Sequence, residues 1–210
     1  MSEPYATADL WDYRRRVADL YSAVRTGPPG DAGWLAWRKE RDRLFAHHPQ
    51  SAIDAAQKVT FDGIPYFSYD PAWRFETELQ PLEPADAELA HSGDGATAFR
   101  RFGFVRFEIG GETFRLSFYW LNTYGGGVFV PFRDETNGSE TYGGGRYLLD
   151  TAKGADLGHS GTKVILDFNY SYHPSCAHNE AWSCPLAPAE NRLAIPVRAG
   201  ERFVRGTRRD

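Results

Sequence analysis

The sequence is poor in sulfur and in lysine. Two cysteines, Cys176 and Cys184, and a single methionine are all the sulfur in 210 residues. That excludes the multi-bridge framework which staples small secreted domains. Only four lysines stand against twenty arginines. The formal net charge is −4, so the chain lacks the basic surplus that draws nucleic acid, and no nucleic-acid partner is expected. No apolar run nears the ~18 residues that a membrane span requires. The opening MSEPYATADLW has neither the basic start nor the apolar stretch of a signal peptide. The expected protein is therefore soluble and cytoplasmic, without a membrane partner. GxGxxG, Walker and HExxH motifs are missing, as are internal repeats and low-complexity segments.

What the chain does have is apolar and aromatic side chains, 41% and 15% of its residues, enough to bury a core without staples. Length and pattern give a single domain over 1–210, with a helical portion at 1–50 and a β-rich, barrel-like portion at 58–205. The fold class is α+β, mainly β: two N-terminal helices packed on an antiparallel barrel-like sheet. Leu10, Tyr13, Val17, Leu20, Tyr21 and Val24 recur at helical spacing, with Thr7 or Asp9 as the cap and Gly27-Pro28-Pro29-Gly30 as the stop. A second helix capped by Asp31 carries Trp34, Trp37, Arg41, Leu44 and Phe45 on one side and must end near His48, before Pro49. The charged run Arg38 to Arg43 reads most simply as its solvated face.

Beyond residue 58 the period becomes two. Val59 to Phe61, Tyr66 to Tyr69 and the segment RFETELQ read as strands, and the Pro- and Ala-containing acidic stretch 80–97 as a surface loop. FVRFEI, Gly110-Gly111 and ETFRLSFYW form a hairpin with a type I′ turn. Its register sets Phe107 against Phe114 and Val105 against Leu116. It also opposes Arg106 to Arg115, an unfavourable pairing unless something intervenes. VFVPF (128–132), GRYLLD (145–150), KVILDFNYSY (163–172) and RLAIPV (192–197) complete the expected strands.

Four stretches carry a resemblance: HPQSA (48–52), YFSYDP (66–71), PFRDETNGSETYGGGRYL (131–148) and DFNYSYHPSCAHNEAWSCPLAPAENRLAIPVRAGE (167–201). Together they resemble a family of bacterial and archaeal proteins called domain of unknown function 1684. The resemblance implies a single-domain fold and brings no established activity. Arg133, Asp134, Glu140, Tyr142, the glycines 143–145, Asp167, Asn169, Cys176, Cys184, Glu190 and Asn191 match that family's pattern. The sequence departs from it at 173 and 178, where His stands in place of the usual Asn and Tyr.

The segment HPSCAHNEAWSC holds both cysteines and offers His173, Cys176, His178 and Cys184 as ligands in the order H-x2-C-x-H-x5-C. Two thiolates and two imidazoles satisfy zinc's tetrahedral preference, although the spacing matches no standard finger. A disulfide, or a Cys176 nucleophile flanked by histidines, uses the same residues. The plain alternative is a loop whose thiols pack as small apolar groups.

A second constellation is polar. Arg133, Asp134, Tyr142 and Arg146 lie beside glycines that let a ligand approach the backbone, and Asn169 and Asn191 lie nearby in the pattern. They form a candidate ligand-binding set for a small polar or anionic molecule at one end of the barrel, with an arginine taking a carboxylate or phosphate. Glu140, Asp167 and Glu190 are the candidate acid–base groups if hydrolytic or acid–base chemistry follows. The competing explanation is ordinary turn chemistry at Asp134-Glu135-Thr136-Asn137-Gly138, with structural ion pairs. The alternative function is a zinc-stapled structural or interaction module built on the 173–184 loop. A flavin-binding split barrel has only architecture and glycine content behind it. Oligomeric state, ligand and reaction do not follow from the sequence.

Overall fold

A computed structural model of the chain describes residues 3–203, with side chains from Ala6 onward. The last two positions of the expected β-rich portion, 204 and 205, lie outside the described residues. Helices α1 (Glu3–Thr26) and α2 (Asp31–His47) come first. Thr7 and Asp9, expected at the start of α1, fall inside it, past the capping position. Gly30 holds the N-cap position of α2, so Asp31 contributes as an acid in the first turn, against the helix dipole. His48 is extended at the C-cap, as Pro49 demands. Among the described residues no helix is long and apolar enough to cross a membrane.

A short helix, α3 (Ala55–Val59), ends where the first expected strand, Val59 to Phe61, was to begin, and those residues form no strand. Asp54 accepts from the Gln57 amide and the Gln57 side chain accepts from the Asp54 amide. That reciprocal cap nucleates a turn that carries Val59 into the helix. The segment 66–69 also forms no strand, and only Tyr66 bridges, to Glu201.

The remainder is mainly β. Strands β1 (Arg74–Glu78), β2 (Gln80–Ala90), β3 (Ala96–Ile109), β4 (Glu112–Leu121), β5 (Val128–Phe132), β6 (Arg146–Asp150), β7 (His159–Ser160) and β8 (Lys163–Asp167) form two antiparallel sheets. One has the order β2-β3-β4-β5-β6, the other β1-β8-β7. No closed barrel is found among the described residues. The segments expected to complete one are not strands. Asp167 accepts from the Asn169 amide and turns 168–170 into a 3-10 helix. RLAIPV makes only isolated pairings with 133–135, interrupted at Pro196, which has no N–H to donate.

Residues 80–90, expected as loop, are strand β2. Pro81 and Pro84 are tolerated because β2 is an edge strand with a register shift between Pro81 and Ala85. The hairpin keeps the expected register: Phe107 pairs Phe114, Val105 pairs Leu116 and Arg106 pairs Arg115. Gly110 and Gly111, at φ 61 and 83, supply the two positive values of the turn. The opposed arginines share Phe104, with guanidinium carbons 4.7 and 3.9 Å from its ring centre, and Arg106 also donates to Gln80. Cation–π contact spreads the two charges over one ring.

The main apolar cluster joins Tyr21 of α1 and Trp34, Trp37 and Phe45 of α2 to Val105, Leu116, Phe132, Leu148 and Phe168 of the β region. The helices therefore lie on the sheets as the apolar spacing requires. Trp37 stands at the crossing, its ring 5.0 Å from that of Tyr170 and 5.8 Å from that of Tyr66.

Candidate functional site

The polar residues singled out in the sequence are mostly buried, and most hold the fold together. Arg146 and Asp134 meet 2.8 Å apart with both side chains shut off from solvent. Arg146 also donates to the carbonyls of Val197, Ala199 and Glu201, so its five-donor fork pins the C-terminal segment in place. Burial lowers its affinity for a proton, with Asp134 opposing. Asn191 bonds both backbone groups of Ser117 and the Pro131 carbonyl. Asn169 bonds both backbone groups of Asp70.

The three candidate acid–base carboxylates each have a separate partner. Glu140 takes Arg198 in a two-pronged pair. Glu190 takes Arg101 at 2.7 Å and the Tyr119 hydroxyl. Asp167 caps the turn at Asn169, and burial raises its carboxyl above the ordinary range. Asp167 also lines a cleft of about 270 Å³ with Arg25 and Arg74. Arg133 packs over Gly145, its Cγ 3.2 Å from the point a β-carbon on that glycine would occupy.

The 173–184 loop separates its ligand-type residues. Cys176 and Cys184 are free and lie against one another, with Cys176 Sγ 3.6 Å from the Tyr142 hydroxyl. His173 and His178 turn instead to Glu201. Their ring nitrogens Nδ1 and Nε2 lie 3.4 and 3.7 Å from Glu201 Oε2. These two histidines and Glu201 place their ligand-type atoms within 4.8 Å of one another. The Tyr142 amide donates to His173 Nε2 at 3.2 Å. A neutral imidazole has one proton, so that bond leaves it on Nδ1, facing the carboxylate. A metal would need Nδ1 bare, and the geometry favours hydrogen bonding over ligation at that corner.

Glu201 is the hub of this arrangement and is fully buried. Its Oε1 lies 2.5 Å from Arg41 Nη2. Its Oε2 accepts the His173 amide at 2.6 Å. Burial works to raise its pKa, but Arg41 and the two histidines outweigh burial and hold it at about 2. Burial pulls His173 down to about 3, against the attraction of Glu201. The resting state is an ionised carboxylate, a charged Arg41 and a neutral His173.

Above this hub lies a cavity of about 350 Å³ between α1, α2 and the 173–184 loop. Its walls include Tyr13, Val17, Leu20, Phe45, Tyr147 and Tyr172. Arg14, Arg41 and Lys153 line it with His173 and His178, and no Asp or Glu does. The carboxylates that balance Arg41 and Lys153 are Glu201 and Asp150, neither of which is among the lining residues. Tyr21 also lines the cavity, is 2% exposed, and its hydroxyl has no hydrogen-bond partner among the described residues. Such a buried orphan is costly.

Sequence reasoning passed over Arg41, Glu201 and this cavity. The signal for Arg41 was its place among Trp34, Trp37, Leu44 and Phe45 on the apolar side of α2, since an arginine there needs a buried partner. Glu201 closes the last family-like stretch. No local pattern links it to a residue 160 positions earlier in the chain.

A family model described as protein of unknown function (DUF1684) matches residues 59–202. Among curated proteins compared, none matches. An uncharacterised protein of Haloarcula marismortui, solved by solution NMR, is similar at 35% identity. That match covers 82% of this chain and 93% of the other, with a TM-score of 0.58.

Proposed function

Since the chain belongs to the DUF1684 family of proteins of unknown function, whose name assigns no activity, we propose from the cavity itself that it binds a small molecule with an apolar body and an anionic head. The observation that carries this reading is the composition of the wall: three cationic side chains, two histidines, tyrosines and aliphatic groups, without a carboxylate. An acid's head would meet Arg41 and Lys153, and its body would lie along Tyr13, Val17 and Phe45. The volume falls in the range of small-molecule sites, roughly 300–1,000 Å³. Glu140, Asp167 and Glu190 are not among the lining residues, so the reading is binding rather than turnover.

Thermal unfolding with octanoate, 3-phenylpropionate and octanol tests it. A ligand that binds only the folded state raises the melting temperature with its concentration. Both acids are expected to do so, octanol much less, and Arg14→Gln or Lys153→Gln to weaken the response. Equal effects from acid and alcohol, or none from either acid, would overturn the reading.

One observation supports a metal-bound alternative: His173, His178 and Glu201 are gathered within 4.8 Å. Stoichiometric zinc found by elemental analysis, and lost together with stability in a chelator, would favour it over the acid-binding reading.

A further inference from the structure

Cys176 and Cys184 have no place in the cavity's proposed chemistry, and their setting differs from that of inert core thiols. Cys176 sits in the 3-10 turn Ser175–Ala177 and lines a second cleft, of about 300 Å³, with Ser92, Gly93, Tyr142 and Trp182. Cys184 is buried and lines the other cavity. Trp182 and Ser183 line both, so the thiol pair stands in the wall between the two spaces.

Both cysteines are anchored by backbone. Cys184 exchanges hydrogen bonds with Ser92, its carbonyl accepting from the Ser92 amide at 2.9 Å and its amide donating to Ser92 Oγ at 3.2 Å. The turn at Cys176 is closed by the Ala177 amide on Pro174 and the His178 amide on Ser175. The fold thus holds two reduced thiols side by side, Cys176 half-buried on one cleft and Cys184 buried against the other cavity.

We propose that Cys176 and Cys184 are an oxidisable dithiol, with Cys176 as the attacking thiol and Cys184 as the resolving one. The co-reactant is a low-molecular-weight disulfide such as oxidised glutathione. The Cys176 thiolate attacks one sulfur of that disulfide and expels one glutathione thiolate, leaving a mixed disulfide at Cys176. Cys184 gives up its proton and attacks Cys176 Sγ, expelling the second glutathione. Two protein thiols become one protein disulfide, one small disulfide becomes two thiols, and the two protons go to the departing glutathiones. Exposure sets the order of attack, because Cys176 is the more exposed thiol and opens on the cleft, whereas Cys184 is buried.

The local chemistry supports that order. Hydrogen bonding from Cys184, with Ser92 and Tyr142 adding to it, brings the Cys176 thiol down to about 6 against the effect of its burial. Cys184 is raised, first by Cys176 and then by burial. An accessible, readily ionised thiol beside a resolving partner is the arrangement found in oxidation-sensitive sites.

The test is intact-mass analysis of the full chain after incubation with oxidised glutathione, followed by denaturation and alkylation. The expected product is a chain lighter by two hydrogens, with neither cysteine alkylated, restored to two alkylatable thiols by dithiothreitol. Cys184→Ser is expected to stop at one glutathione adduct, and Cys176→Ser to stay unmodified. Wild-type protein that keeps two alkylatable thiols, or that accumulates the adduct without closing the bridge, would overturn the proposal. The wild-type result decides it even if a serine variant fails to fold.

Discussion

Arg41 Nη2 and Glu201 Oε1 lie 2.5 Å apart, and both side chains are almost wholly withdrawn from water. This pair ties α2 to the end of the described chain. The Glu201 amide donates to Ser171 and its carbonyl accepts from Arg146, so one residue joins the helices, the 171–173 segment and the arginine fork of β6. A buried pair of this kind adds little stability over an apolar replacement, but removing one partner leaves an uncompensated charge.

Arg41→Met therefore strands an ionised Glu201 and is expected to cost about 3–5 kcal/mol, read from urea unfolding. Glu201→Gln strands Arg41 instead. The double variant should lose less than the two single losses added together, because neither charge is then alone. Strict additivity would show that the two groups are not coupled.

Acid should destabilise the protein in two stages. The folded pKa of His173 is about 3, below its ordinary 6.5, so the unfolded chain binds the proton more readily and stability falls as pH drops from about 6.5 toward 3. Glu201, at about 2 in the folded state, contributes stability that is complete above its ordinary carboxylate range and is lost as pH falls through that range toward 2. His173→Asn keeps a side-chain N–H donor and removes the titration. It should flatten the upper part of the profile and leave the lower part, as measured by melting temperature from pH 7 to pH 2. An unchanged profile would contradict the assignment.

The unpartnered hydroxyl of Tyr21 gives a prediction of unusual sign. Tyr21→Phe removes a buried polar atom that bonds nothing among the described residues while keeping the ring that packs 6.0 Å from Trp37. The empty protein should be unchanged or more stable by about 1 kcal/mol. If the hydroxyl serves a bound acid, the same variant should lose part of the stabilisation by octanoate. A loss of stability in the absence of ligand would show that the hydroxyl is already satisfied.

Gly200 places Glu201. Its φ is +80, and a β-carbon there would run into Ser171 Oγ and stand 2.5 Å from the Ser171 carbonyl oxygen. Gly200→Ala thus combines backbone strain of about 1–3 kcal/mol with a steric clash. It should lower the melting temperature well beyond Gly138→Ala, whose added β-carbon meets nothing within 4 Å at a similar φ of +78.

Local chemistry was readable where it was self-contained. The Gly110-Gly111 turn set the hairpin register down to the Arg106–Arg115 opposition, and apolar spacing placed α1 and α2. Errors came where one side chain overrode a pattern. Asp167 bent an alternating run into a 3-10 turn, Asp54 and Gln57 capped a helix that takes in Val59, the first residue of an expected strand, and an edge position let two prolines into β2. The site was harder still. Arg146, Asp134, Asn169 and Asn191 stood out as polar residues, yet their partners are mostly backbone groups far along the chain, and composition does not distinguish a clamp for a ligand from a clamp for a carbonyl. His173 and His178 were visible as ligand types, but their turn toward Glu201 and away from the cysteines arises only when the 199–203 segment passes beneath the loop.

The most direct test of the cavity is an amide-resolved NMR titration of the full chain with octanoate. The account predicts saturable shifts that gather on residues lining the cavity, from Tyr13 and Val17 through Arg41 to His173 and His178, and that weaken in Lys153→Gln. Shifts that do not saturate, or that gather in the cleft beside Cys176 or around Arg25 and Arg74, would contradict it.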